Sequence, residues 1–139
     1  YAVMGVAVNC GPALMGDDIE GICQSAMDIP VCVSDASGFN GDADRGWSDA
    51  MISLLRKVPH FSEKKQAGKI NVIGQCILDP ASDESWENVL FIPGGQLMMY
   101  GELSLLSEAE RNVVVHPRGL AVARWLEENT QVPYSMQYE

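Results

Sequence analysis

Cys10 is the residue whose type and place are best suited to chemistry. It follows the apolar run Tyr1–Val8 and stands just before Gly11-Pro12 and the helix start at Asp17-Asp18. Helix N-termini and exposed backbone amides favour the thiolate form of a cysteine. A thiolate there could act as a nucleophile or as a soft metal ligand. The nucleophile reading needs a base, and neither His60 nor His116 falls in an adjacent segment. The other cysteines are Cys23, Cys32 and Cys76. No C-x-x-C spacing occurs, which excludes a zinc ribbon and a thioredoxin-type site and leaves buried free thiols as the ordinary reading. Asp17 and Asp18 are adjacent, so they complement a helix dipole more readily than they clamp a metal. Asp35, Ser37, Asp42, Asp44, Cys76, Asp79 and His116 complete the set of reactive residues in loops that follow strands. The chain has no P-loop, no G-x-G-x-x-G after a strand, no H-E-x-x-H and no G-x-S-x-G.

The elements that must position these residues alternate between strand and helix. Tyr1–Val8 reads as a strand covered on both faces, and Asn9–Gly16 as a loop. A helix from Asp17 carries Ile19, Ile22, Cys23 and Ala26 on one stripe, which places Cys23 in the core. Pro30–Ser34 is a short strand with Cys32 buried in it, and Asp35–Arg45 is a loop. A helix from Gly46 puts Trp47, Met51, Leu54, Leu55 and Val58 on one face and ends at Pro59. The polar stretch 60–68 is the boundary between a lobe at 1–60 and a lobe at 69–139. Ile70–Ile73 is a strand ending in Gly74, Asp83–Asn88 one or two helical turns, and Val89–Ile92 a strand. Ser107-Glu108-Ala109-Glu110 fits a capping box for a short helical turn. Asn112–His116 is a strand, Arg118–Asn129 a helix with Val122, Trp125 and Leu126 inward, and Pro133–Tyr138 a last strand. This rhythm predicts an α/β fold of Rossmann-like or flavodoxin-like lobes, three-layered, with parallel sheets.

The chain has 139 residues, 47% of them apolar, which suits a globular domain. Nineteen acids against nine bases give a net charge of −10. There is no basic face for a phosphate backbone and no polybasic anchor, so neither nucleic acid nor a membrane surface is an expected partner. Residue 1 is not Met and opens an apolar strand, so the chain reads as a piece of a longer protein. The acidic, disulfide-free pattern suits the cytoplasm.

Cys10-Gly-Pro-Ala-Leu-Met-Gly16-Asp17-Asp18-Ile19-Glu20 resembles the nitrogenase component 1 family, whose chains carry a Cys, five residues, Gly-Asp-Asp and an aliphatic residue at a helix start. Ile29-Pro30-Val31 followed by Ser37-Gly38-Phe39-Asn40-Gly41 is similar to the family's strand and its G-F-x-G or S-F-x-G loop. Gly46-Trp47 with Asp49 and Met51 resembles the β-type chains. Lys69–Gly74, Asn112–His116, Leu126-Glu127-Glu128 and Val132-Pro133-Tyr134 continue the match, which is weakest across 75–111.

The resemblance implies Rossmann-like lobes around metal clusters in a nitrogenase-like oxidoreductase. It puts Cys10 where the family has an iron–sulfur ligand at a subunit interface, with Gly11 and Gly38 lining the cofactor. The implied cofactor is an iron–sulfur cluster of the full-length complex. The implied partners are a homologous subunit and an ATP-dependent iron–sulfur reductase. A cluster takes about four protein ligands, and the family's other ligand cysteines correspond to positions upstream of this chain. Cofactor-bearing α chains place a Cys after the Val-His, where this chain has Pro117. β chains place a Ser where this chain has Gly38, with Ser37 one position off. Cys23, Cys32 and Cys76 match no family ligand. Two functions follow as expectations: a fragment of an electron-transferring subunit, or a non-catalytic scaffold for metallocofactor assembly. An unrelated flavodoxin-like binding domain is a third.

Overall fold

The structure, a computed structural model, describes residues 3–38, 41–76, 79, 86–91, 93 and 100–138. The chain divides into two compact units, Tyr1–Pro59 and His60–Glu139. Both are α/β with parallel strands.

In the first unit β1 (Met4–Val8) pairs in parallel with β2 (Val31–Asp35), Met4 opposite Val31 and Val8 opposite Asp35. Val31 and Cys32 are buried, as the apolar run around them predicts. β1 differs from its expectation. Its residues are exposed or half-buried, because β2 alone pairs with it among the described residues. The expected 9–16 loop is α1 (Cys10–Met15). Pro12 sits in its first turn, where no amide donor is needed, and Gly16 closes it at φ 68° in the left-handed region. α2 (Ile19–Ala26) is capped by Asp18, whose carboxylate accepts from the Gly21 amide at 3.0 Å. Its apolar stripe exists, but no residue of it is buried: Ile22 is 62% exposed and Cys23 half-buried. Periodicity marks a face, and the described residues of this unit do not cover it.

α3 (Ala43–Leu55) starts three residues before the expected Gly46 because Asp42 caps it, accepting from the Arg45 amide at 3.0 Å. It packs on β2 through buried Leu55 and through Ser53, whose hydroxyl donates to the Val33 carbonyl at 3.0 Å.

In the second unit β3 (Gln66–Ile73), β4 (Val89–Phe91), β5 (Ala109–Val114) and β6 (Tyr134–Met136) form a parallel sheet in the order β4-β3-β5-β6. α4 (Leu120–Thr130) buries Val122, Ala123 and Leu126, with Val72, Ile73, Val113 and Val114 in the same core. Two fully buried asparagines face each other across β3 and β5. Asn71 Nδ2 donates to Asn112 Oδ1 and to the Leu106 carbonyl, each at 2.8 Å. A register slip would break this contact, which already leaves Asn71 Oδ1 and Asn112 Nδ2 without a hydrogen-bond partner.

β3 begins at Gln66, inside the stretch expected to be a boundary turn. The Asp83–Asn88 helix falls largely outside the described residues, and 86–88 are not helical. Ile92, the expected end of β4, also lies outside them. The capping-box pattern at 107–110 opens no helix. A 3-10 helix, Tyr100–Glu108, ends there and β5 begins at Ala109.

Candidate functional site

In parallel sheets, ligand sites lie at the carboxyl ends of strands. In the first unit the β1–β2 register brings two loops to one end. Cys10 lies two residues beyond Val8, and Ser37-Gly38 lie just beyond Asp35. The Ala36 amide donates to the Val8 carbonyl at 2.9 Å and ties the ends together. Cys10 is exposed as the first residue of α1, with Gly11 next to it, also exposed.

Gly38 lines a cavity of about 250 Å³ at the start of α3, with Asp35, Ser37, Asp42, Arg45 and Asp49. A second cavity of about 260 Å³ is lined by Val8, Pro12, Gly16, Asp17, Asp18 and Asp35, among others. Cys10 lines neither of these two cavities, though it shares one end of the sheet with Gly38. The Ser37 hydroxyl is buried without a hydrogen-bond partner. Cys32 is inert by comparison, since burial pushes its thiol pKa up.

Among the described residues no three of His, Cys, Asp and Glu converge on a point that could hold a metal. At this surface the described residues offer Cys10 as a single thiolate donor, so a four-ligand iron–sulfur cluster there would draw its other ligands from outside them.

The second unit has its own polar cluster at the strand ends. Strand order reverses between β3 and β5, whose ends carry Gly74 and His116. Arg118 Nη1 lies 2.8 Å from both carboxylate oxygens of Asp79 and donates to the Gly74 carbonyl at 3.3 Å. Asp79 also accepts from the Cys76 amide at 2.8 Å. His116 Nδ1 accepts from the Arg118 amide at 3.3 Å, and its Nε2 lies 3.3 Å from Arg118 Nη2. A neutral imidazole has one acceptor nitrogen, so only one of these contacts is a hydrogen bond in that form.

Sequence reasoning collected Cys76, Asp79 and His116 but missed Arg118, which joins them. Its only local signal is a place just past a strand-ending His-Pro. The Arg118 hydrogen bond, then the Cys76 amide, holds the Asp79 carboxyl below its ordinary value of 3.8. A depressed carboxyl stabilises the fold above that ordinary value, and the contribution fades as pH falls through the folded value. Asp79→Asn is expected to lower stability at neutral pH by up to about 1 kcal/mol and to flatten the acid limb of the stability curve. Urea melts at pH 7 and pH 3 check this. Equal losses at both pH values would show that the charge is not the cause.

The comparisons with known proteins agree with this architecture. Residues 1–137 match the family model described as nitrogenase component 1 type oxidoreductase, and the chain belongs to that family. The nitrogenase iron-molybdenum cofactor biosynthesis protein NifE of Klebsiella pneumoniae is 28% identical, over 91% of this chain and 32% of its own. NifE of Methanosarcina barkeri is also 28% identical, over 95% of this chain and 33% of its own. NifE of Sinorhizobium fredii is 37% identical over 58% of this chain and 17% of its own. A solved structure described as nitrogenase Cp1 at pH 6.5 superposes with a TM-score of 0.73 at 21% identity, over 97% of this chain and 28% of that one. The chain thus spans about a third or less of the length of these relatives. Among the described residues no helix is long and apolar enough to cross a membrane.

Proposed function

We propose that the chain is part of a scaffold on which a nitrogenase-type metallocofactor is assembled. The observation that supports this is the identity of the curated relatives. Those of Klebsiella and Methanosarcina are both iron-molybdenum cofactor biosynthesis proteins, and each aligns over more than nine tenths of this chain. Pro117 offers no donor atom where cofactor-bearing α chains of the resemblance place a cysteine, so this chain makes no thiolate bond to a cofactor there. In this reading the stretches 1–60 and 69–139 are partial Rossmann-like lobes of a longer cytoplasmic protein. Cys10 is one ligand of an iron–sulfur cluster shared with a homologous partner subunit, and Gly11 and Gly38 shape its surroundings.

An electron-transferring subunit served by an ATP-dependent iron–sulfur reductase is the second reading. The Gly46-Trp47 pair, placed as in β-type chains, favours it.

The test is to purify the full-length protein without oxygen, measure its iron, molybdenum and sulfide, and incubate it with cofactor-free nitrogenase component 1. A scaffold hands its metal over and reduces no substrate. Retained metal together with reductase- and ATP-dependent substrate reduction would overturn the scaffold reading in favour of the second.

A further inference from the structure

The segment leading into the second unit reads in sequence as a free polar turn, yet the structure fastens it at almost every residue. The Ser62 amide donates to the Ser104 carbonyl at 2.9 Å, and the Ser107 hydroxyl donates to the Ser62 carbonyl at 2.5 Å. Lys65 Nζ donates to the Ser107 carbonyl at 2.6 Å, and the Phe61 ring lies 6.0 Å from that of Trp125 at 58°. Glu108 sits at the centre of these contacts. It is 7% exposed, and each carboxylate oxygen is held by a neutral donor from the segment. Ser62 Oγ donates to Oε1 at 2.7 Å, and Gln66 Nε2 donates to Oε2 at 2.6 Å. The charges around it come from several elements. Lys64, on the segment, favours the carboxylate. Lys65 is engaged by Ser107, and Glu110 of β5 by the Gly68 amide at 2.7 Å. Glu102, on the same 3-10 helix, lies at its exposed end.

We propose that Glu108 is a carboxylate clasp that locks the strap 61–66 onto the second unit and loosens it on protonation. Both donors point at acceptors, and a charged acceptor roughly doubles the strength of such bonds. A protonated Glu108 keeps one carbonyl acceptor and turns the other oxygen into a donor. With the proton on Oε1 the Ser62 hydroxyl loses its acceptor and can only accept in return, while the Gln66 amide keeps a neutral acceptor, so both contacts weaken from charge-assisted to neutral bonds. The direction of titration agrees: the Ser62 and Gln66 donors hold the carboxyl below its ordinary value of 4.5. The locked form therefore prevails above that value and is lost as pH falls through the depressed one. Release takes the Phe61 ring away from Trp125.

The strap carries its own reporter, since Lys64 and Lys65 are trypsin sites. Cleavage of a transiently opened segment tracks the open population. In the full-length protein, Glu108→Ala is expected to speed cleavage after Lys64 and Lys65 about tenfold or more, with an unchanged global melt. Glu108→Gln should fall between it and wild type. The protection factor of the Lys64 amide, which donates to Ser62 Oγ at 3.3 Å, should hold from pH 7 down to the ordinary carboxyl range and fall as pH is lowered further, and only where Glu108 is present. Unchanged cleavage in Glu108→Ala, or cleavage that rises only in step with global unfolding, overturns the proposal. If that variant does not fold, Ser62→Ala and Gln66→Ala each remove one donor. Each should speed cleavage several-fold, and wild-type rates in both would equally overturn it.

Discussion

Under the proposed scaffold reading, Cys10→Ala in the full-length protein is expected to lose most of its bound iron, while the melt of the metal-free protein stays where it was. Cys10 is exposed at the first position of α1, and its N-cap residue Asn9 makes no side-chain cap bond. Truncating the thiol there removes little packing, so the stability change should stay within about 0.5 kcal/mol. A cluster that takes four ligands is a different matter, since a missing thiolate leaves an open coordination position.

The control is Cys32→Ala. Cys32 is 8% exposed and touches the β1–β2 pairing, with Gly5 opposite it. That change should cost about 1 kcal/mol of stability and leave the iron unchanged. Cys23, which its sequence stripe places in the core, is half-buried and makes a poorer control. Alkylation of the metal-free 139-residue chain in its folded state should reach Cys10 before Cys32. A Cys10→Ala protein that keeps its iron would remove Cys10 from the ligand set and leave the family fold standing.

The parallel strands and their order along the chain were legible, because apolar runs and 3.6-residue stripes are local signals. The misses share a cause. Gly11-Pro12 looks like a loop, yet a proline in a first turn is compatible with a helix that Gly16 then ends. Ile19, Ile22 and Cys23 mark a real face, but a stripe does not say what covers it. Ser107 and Glu108 have capping-box spacing, yet their side chains reach back 45 and 46 residues to Ser62. Arg118 is found only through Asp79, 39 residues away. Long-range polar pairing leaves no local pattern, so the Glu108 and Asp79 networks of the second unit appear only in three dimensions. Cys10 was legible as a chemical type and as a strand-end residue, and its placement at the same sheet end as Gly38 follows from the Val8–Asp35 register.

Gly119→Ala is expected to destabilise the second unit by about 2–3 kcal/mol, and Gly119→Val by more. A Cβ built at Gly119 would lie 2.7 Å from the Ile73 carbonyl oxygen, 2.8 Å from its carbon and 2.9 Å from Gly74 Cα. All three are backbone atoms at the end of β3, so no side chain can swing aside. The Gly119 φ of −79° is ordinary, which makes the whole cost steric rather than conformational. Relief requires the chain at 117–119 to lift away from β3. That movement pulls Arg118 from the Gly74 carbonyl and from Asp79, which it holds at 3.3 and 2.8 Å. The Asp79 carboxyl should then titrate closer to its ordinary value, a readout that a cavity or a general loss of packing would not give. Gly46→Ala is the opposite case. Gly46 lies inside α3 with nothing within 4 Å of an added Cβ, and the exchange should stabilise by up to about 1 kcal/mol. Chemical denaturation of both variants, with carbon-detected titration of Asp79 in the first, decides the matter. A Gly119→Ala protein as stable as wild type would mean that β3 and the 3-10 turn at Pro117–Gly119 do not approach as closely as this backbone requires.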